Sequence, residues 1–107
     1  MLKVMLPVDG SPNALRAVNY VIQLARTGSR VTVHLAHAHE EPLLYGELGI
    51  FVSKEQIAER IAARAEELGC HAIVMGTRGM GSIGNLLMGS VSTKVVHLAT
   101  MPVTLVR

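Results

Sequence analysis

The sequence predicts an α/β fold in which four parallel strands form a doubly wound sheet, in the order 2-1-3-4, with helices on both faces. Short apolar runs, typical of buried parallel strands, alternate with longer segments that have the apolar spacing of helices. Glycine-containing turns follow the first and the third apolar run. In a doubly wound sheet with this strand order, those two turns lie where the ligand crevice opens.

Composition limits the size and the class of the protein. The 107 residues are expected to form one domain, 1–107, and 50% hydrophobic residues are enough for a core. The net charge is +2 and no Lys/Arg run is present, which gives little support for nucleic-acid binding. The single cysteine, Cys70, cannot form an intrachain disulfide and fits a reducing, cytoplasmic environment. We recognise no signal peptide or membrane-spanning segment, so no membrane partner is expected.

The first predicted unit consists of a strand, a helix and a second strand. Lys3 to Val8 form the first strand, and the following Ser11 and Pro12 suit an N-cap and a first helical position. The helix is expected to end at Gly28, and Arg30 to Ala38 form the second strand. The predicted apolar stripe of this helix is Ala14, Leu15, Val18, Val21, Ile22 and Ala25.

The second half is predicted to contain two helix–strand pairs. Residues 40–52 have no clear period and are expected to form a loop, and Ser53 opens a capping box. The helix after it ends at Gly69, Cys70 to Met75 form the third strand, and Pro102 to Val106 form the last. The predicted stripes of the two helices are Ile57, Ala58, Ile61, Ala62, Ala65 and Leu68, then Val91, Val95, Val96, Leu98 and Ala99.

The segment between the third strand and the last helix is predicted to bind an anion. Gly76, Gly79, Gly89 and Ser90 follow the spacing Gly-x2-Gly-x9-Gly-Ser, which is neither a Walker A loop nor a Rossmann fingerprint. Glycines let backbone N–H groups approach a phosphate, and a helix N-terminus adds the positive end of its dipole. Ser90 can cap the helix or donate its hydroxyl to a phosphate. The alternative is a glycine-rich turn that has no ligand.

Asp9 ends the first predicted strand, and two roles are open for it. Its carboxylate can accept bonds from backbone N–H groups of its own turn, or from an adenine amine or a ribose hydroxyl. Because the strand order reverses between the first and third strands, Asp9 and Gly76 are expected at one cleft. His34, His37 and His39 lie in or after the second strand, but no acidic or cysteine partner recurs at ligand spacing. We therefore predict no metal ligands.

Together, these segments resemble the universal stress protein family, in the branch that binds ATP. The likeness spans nearly the whole chain and rests on the segments Val8-Asp9-Gly10-Ser11, His37-Ala38, Ile73-Val74-Met75-Gly76, Gly89-Ser90 and Pro102 to Val106. It implies an adenine nucleotide alpha hydrolase-like fold. It also implies nucleotide contacts at Asp9, Ala38, Gly76, Gly79, Gly89 and Ser90, with Pro7, Met75, Arg78 and Val91 lining the same cleft.

The resemblance further implies a stress-response or regulatory module that binds ATP, or another adenine nucleotide, with magnesium assisting. Little catalysis is expected, because Asp9 is the one carboxylate near the cleft and no catalytic lysine is evident. A slow ATPase and a nucleotide-independent interaction protein are the alternatives. Family members have five strands, so this chain lacks one helix–strand unit beside the second strand. A homodimer through the C-terminal strand is expected. Further association is expected over the face of the sheet that one helix covers, since the other face has two.

Overall fold

The computed structural model describes residues 1–28, 30–37, 42–43, 50–51, 54–77 and 89–107. In chain order the elements are β1 (Leu2–Val8), α1 (Pro12–Arg26), β2 (Val31–His37), β3 (Pro42–Leu43), β4 (Ile50–Phe51), α2 (Lys54–Glu67), β5 (Ala72–Gly76), α3 (Ser90–Leu98) and β6 (Val103–Val106). The four longer strands form one parallel sheet in the order β2-β1-β5-β6. Since β5 and β6 are the third and fourth predicted strands, the predicted order 2-1-3-4 is confirmed.

The segment between β2 and α2 differs in part from the predicted loop. Within 40–52, β3 and β4 form a separate antiparallel pair, in which Pro42 lies opposite Phe51 and Leu43 opposite Ile50. Each strand is two residues long, too short for a period to be visible in the sequence. The remaining residues of that segment, and the capping serine Ser53, lie outside the described residues.

The two faces of the sheet separate the core into two clusters. Val4 and Leu6 of β1 face α1, while Met5 faces α2 and α3, as the alternation of side chains along a strand requires. The cluster under α1 contains Val4, Leu6, Ala17, Val21 and Val74. The cluster under α2 and α3 contains Met5, Ile57, Ala58, Ile61, Ala65, Cys70, Ile73, Met75 and Val95. Helices therefore cover both faces, one on one side and two on the other.

The start of α1 follows the sequence signals. The Ser11 hydroxyl oxygen accepts a hydrogen bond from the Ala14 N–H at 3.1 Å, and Pro12 is the first helical residue. The helix ends at Arg26 and is followed by Gly28 at φ +95°, a left-handed conformation that favours glycine. The predicted N-cap and terminating glycine are both confirmed.

The buried face of α1 is narrower than the predicted stripe. Ala14 and Val21 are buried as predicted, but Leu15 is 59% and Ile22 is 43% exposed. The helix packs on β1, β5 and β6, so the flank that carries these two residues has no sheet strand directly beneath it. Ala17, which the stripe omitted, is fully buried.

On the opposite face, α2 ends as predicted at a glycine. Gly69 has φ +67°, its N–H donates to the Glu66 carbonyl at 3.1 Å, and the Cys70 N–H donates to the Ala65 carbonyl at 2.9 Å. These two bonds form a Schellman motif. In α3, which packs against α2, Val95 is buried, but the predicted stripe is wrong at Val96 and Leu98, which are 44% and 38% exposed.

Candidate functional site

The carboxyl ends of the parallel strands β1, β5 and β6 lie side by side and form the carboxyl edge of the sheet, which is distinct from its outer strands. Gly76 pairs with Val106, and the β1–β5 register that sets Met5 opposite Ile73, continued by three residues, sets Val8 beside Gly76. The chain order reverses between β1 and β5, so this edge is the topological switch point. The structure therefore brings the turn after β1 and the glycine that ends β5 together, as the sequence predicts.

Asp9 holds the turn between β1 and α1. Its Oδ1 accepts a hydrogen bond from the Ser11 N–H at 2.9 Å, one residue before α1 begins. This is the local role that the sequence allowed for the carboxylate. Its contact with a nucleotide remains a prediction.

Gly76 has a packing partner that the sequence analysis missed. Asn13, in the first turn of α1, is 7% exposed and its Nδ2 donates to the Val106 carbonyl at 3.0 Å. A Cβ atom built at Gly76 would overlap Asn13 Oδ1 and lie 2.9 Å from Asn13 Cγ. The missing side chain of Gly76 therefore makes room for Asn13, whatever its part in phosphate binding.

Two hydrogen bonds join the two ends of the segment 78–88, and a third fixes Thr77 to β6. The Gly89 N–H and the Ser92 hydroxyl both donate to the Thr77 carbonyl, the hydroxyl at 2.8 Å. The Thr77 N–H donates to the Val106 carbonyl at 2.9 Å, which fixes Thr77 to β6. Ser92 is 3% exposed, so its hydroxyl is part of the core. Segment 78–88 itself lies outside the described residues, but its ends are anchored beside the strand edge.

The N-terminus of α3 is therefore fixed at the carboxyl edge of the sheet. Gly89 is its N-cap, at φ −75° and ψ 164°, and no described side chain caps the helix. Of the two roles that the sequence left open for Ser90, capping is not the one observed, because Ser90 is the first helical residue and is exposed. Donation of its hydroxyl to a phosphate remains a prediction. Any residue can adopt the backbone conformation of Gly89, so conformational freedom does not explain this glycine, and its contact with a nucleotide remains a prediction.

The other predicted site residues fall into two groups. Met75 and Pro7 are buried, and Val91 is half-buried against the core under α2 and α3. These three side chains pack in the interior of the protein next to the carboxyl ends of the strands. Ala38, Arg78 and Gly79 lie outside the described residues, so their predicted contacts with a nucleotide remain predictions.

Within the residues that the structure describes, the titratable groups elsewhere do not form a second site. Burial raises the pKa of the Cys70 thiol above its ordinary value of 9.0, against the opposing effect of the Lys3 ammonium. Cys70 lies directly before β5, at the amino ends of the strands, whereas Asp9 lies at their carboxyl ends. Within the described ranges, no group of three or more His, Cys, Asp or Glu side chains is arranged to hold a metal ion. The same ranges contain no helix long and apolar enough to cross a membrane.

Comparison with known proteins gives consistent matches. The model of the universal stress protein family matches residues 1–56 and 45–107, two overlapping segments that cover the chain. A universal stress protein of Thermus aquaticus, encoded in the QAH/OAS sulfhydrylase 3'region, is 63% identical over 35 residues, which are 33% of this chain and 26% of that protein. Universal stress protein YxiE of Bacillus subtilis is 44% identical over 50 residues, which are 47% of this chain and 34% of YxiE. The matched parts thus span about a quarter to a third of these relatives.

Solved structures share the fold. Universal stress protein UspA from Lactobacillus plantarum superposes with a TM-score of 0.62 at 14% identity, covering 99% of this chain and 97% of UspA. A universal stress protein from Archaeoglobus fulgidus gives 0.60 at 19% identity, covering 100% of this chain and 94% of that one. At such identities the likeness establishes the arrangement of strands and helices.

Proposed function

Because the chain belongs to the universal stress protein family, we propose that it is a regulatory module of that family which binds an adenine nucleotide, ATP with magnesium assisting. One observation carries the proposal. The Asp9 turn and the N-terminus of α3 lie at the same edge of the sheet, at its switch point, held by the Thr77–Gly89 and Thr77–Ser92 hydrogen bonds.

The chemistry of this edge fits a nucleotide. The nine-residue helix α3 directs its first backbone N–H groups and the positive end of its dipole to where phosphates would lie. The Asp9 carboxylate, oriented by the Ser11 N–H, is suited to accept from an adenine amine or a ribose hydroxyl. Magnesium would be held mainly by the phosphate oxygens, which is its usual mode with nucleotides.

We propose that the nucleotide is held with little or no turnover. Phosphoryl transfer needs a metal-holding carboxylate, a positioned base and a cationic clamp, and Asp9 is the acidic side chain that we assign to this edge. ATP occupancy would then act as a signal, in a cytoplasmic protein of the stress response. Release of phosphate over many turnovers would favour an ATPase instead.

We also propose that two copies pair through β6. The Pro102 and Val106 carbonyls accept from Ile73 and Thr77 N–H groups on the β5 side, so the backbone groups of Val103 and Leu105 point outward by alternation. Leu105 packs against the core, so a Leu105→Lys change would disturb folding as well as pairing. The pair Leu105→Pro and Leu105→Ala separates the two effects, since both shorten the side chain and only proline removes the outward N–H.

Titration calorimetry with ATP and magnesium tests the nucleotide proposal. We expect saturable binding, and mass spectrometry of the small molecule released on denaturation should identify an adenine nucleotide. Asp9→Asn keeps an oxygen for the Ser11 N–H and removes the negative charge, and Gly89→Val adds a side chain where phosphate would approach. Both should weaken binding, while Glu59→Gln, the same charge change at an exposed position of α2, should not. Absence of binding in the unsubstituted protein would refute the proposal, and equal affinities in all variants would refute the site.

A further inference from the structure

The outer edge of β2 is an exposed apolar surface. Val33 and Leu35 are 41% and 67% exposed, and both lie on the face of the sheet that α1 covers, because Val33 pairs with the core residue Val4. In the described part of the chain β2 pairs with β1 alone and ends the sheet. This edge lies at the opposite end of the sheet from β6.

Backbone groups at this edge are oriented for a further strand. The Leu2 N–H donates to the Arg30 carbonyl at 2.9 Å, so Arg30 directs its carbonyl toward β1. Backbone groups alternate sides along a strand, so His34 also points to β1, whereas the N–H and C=O groups of Val33 and Leu35 point away from it. The two residues that expose apolar side chains are thus the two that offer outward donors and acceptors.

The sequence of β2 has none of the features that protect strand edges. Val31–His37 contains no lysine, arginine, acidic residue or proline, and it is seven residues long. Natural edge strands are commonly shortened, charged, bulged or interrupted by proline, because an unprotected edge pairs with other chains. The outward N–H and C=O groups and the exposed apolar side chains of this edge are therefore suited to bind an extended strand.

We propose that a second copy of this chain pairs antiparallel along β2, about a two-fold axis at His34. A two-fold axis perpendicular to the sheet relates each face of one copy to the same face of the other, so residues that lie opposite each other must point to the same face. Because neighbouring residues of a strand point to opposite faces, this holds only when the axis passes through a residue and not between two residues. Centring it on His34, the middle of Val31–His37, gives the longest overlap and sets Val33 opposite the partner's Leu35.

In this register the donors and acceptors of β2 lie opposite the acceptors and donors of the same strand in the second copy. Val33 and the partner's Leu35 exchange both N–H···O bonds, and the symmetric pair does the same, because outward groups form the hydrogen-bonded pairs. Valine and leucine side chains then meet directly across the junction, on the α1 side of the sheet but beyond the part that α1 covers. His34, whose backbone points inward, meets its own copy in a non-hydrogen-bonded pair.

Sedimentation equilibrium on a set of variants tests this interface. We expect self-association of the unsubstituted protein at high micromolar concentration, weakened at least about tenfold by Leu35→Lys, since a charge on an edge strand opposes pairing. Leu35→Pro should weaken it more than Leu35→Ala, because both lose the side chain and only proline loses the outward N–H. Ile22→Lys, the same charge at an exposed apolar position of α1, should leave self-association unchanged, and circular dichroism melts verify that each variant folds.

A cysteine pair tests the register itself. Residue 34 meets its own copy at the axis, where opposed Cβ atoms come about 4.5–5.5 Å apart, so His34→Cys should form a disulfide-linked dimer on mild oxidation. Thr32→Cys should not, because its opposite residue is the partner's Ala36. Cys70 is buried, and the unsubstituted protein, in which it is the single cysteine, gives the background level of disulfide-linked dimer.

The outcomes separate this interface from the proposed β6 pairing. Leu35→Pro that reduces a larger assembly to a dimer, or a dimer to a monomer, supports the β2 interface. A monomeric unsubstituted protein, self-association that is insensitive to Leu35→Pro, or equal crosslinking of the two cysteine variants would overturn it. None of these results depends on nucleotide binding.

Discussion

Replacing Gly76 by alanine should destabilise the fold through one side chain, Asn13. The added Cβ would overlap Asn13 Oδ1, lie 2.9 Å from Cγ and 3.1 Å from the Asn13 carbonyl carbon. The backbone of α1 is held by the Ser11 N-cap, so the Asn13 side chain must move and give up its 3.0 Å bond to the Val106 carbonyl. Val106 keeps the Thr77 N–H as a donor, so no carbonyl is left without a partner.

The expected size follows from these contacts. Overpacking a tight site costs about 1–3 kcal/mol, and the lost hydrogen bond adds about 1 kcal/mol. We therefore expect Gly76→Ala to lower the free energy of unfolding by about 2–4 kcal/mol, and Asn13→Ala to lower it by about 1 kcal/mol. The double variant removes the overlapping atoms and loses the hydrogen bond only once, so it should be more stable than the sum of the single effects predicts, by about 2–4 kcal/mol.

Urea unfolding followed by far-ultraviolet circular dichroism gives all four free energies of this cycle. Ala25→Gly, at an exposed position about 18 Å along α1 from Asn13, combined with Gly76→Ala serves as the additive control. Single effects that add to within about 0.5 kcal/mol would show that Asn13 and Gly76 are not coupled and would refute the packing explanation.

Three further predictions concern other contacts. Ser92→Ala removes the buried bond to the Thr77 carbonyl and should lower the unfolding free energy by about 1–2 kcal/mol, whereas Ser90→Ala, at an exposed position, should change it by less than about 0.5 kcal/mol. Gly69→Ala should cost about 1 kcal/mol for the left-handed backbone alone, since nothing lies within 4 Å of the added Cβ, and Gly69→Asn should cost less in the same urea assay. Because burial raises the pKa of the Cys70 thiol, the stability that the neutral thiol provides is complete below its ordinary value of 9.0 and is lost as pH rises through the folded value. The unfolding free energy of the unsubstituted protein should therefore fall more steeply above pH 9.0 than that of Cys70→Ala, and parallel curves would contradict the assignment.

Local signals predicted the frame of the fold because they act within a few residues. Ser11 and Pro12 start α1, Gly69 ends α2, and both effects depend on backbone geometry at the position itself. Strand order followed from the alternation of strands and helices in a doubly wound sheet, which does not depend on particular side-chain contacts. These features were therefore accessible without any knowledge of long-range contacts.

Contacts between distant residues were not accessible in the same way. Asn13 and Val106 are 93 positions apart, and nothing in the sequence marks an asparagine in a first helical turn as the partner of a strand end. Ser92 carries no signal in the sequence that its hydroxyl donates to the Thr77 carbonyl, fifteen positions earlier, in the core. Leu15 and Ile22 have the spacing of a buried face, but the width of that face depends on which strands lie beneath the helix.

Among the described strands the sheet ends at β2 on one side and at β6 on the other, and pairing at both proposed interfaces would make each copy bifunctional in the sense of polymer chemistry. If both edges join to their own kind, the copies alternate head-to-head and tail-to-tail in a ribbon. Each copy contributes four strands, and the normal twist between neighbours turns the ribbon by roughly 80–100° per copy, or about four copies per turn. Such a ribbon does not close, and its mean length depends on concentration. A small fraction of Leu35→Pro chains, reactive at one end alone, would then act as chain stoppers and shorten every ribbon in the mixture.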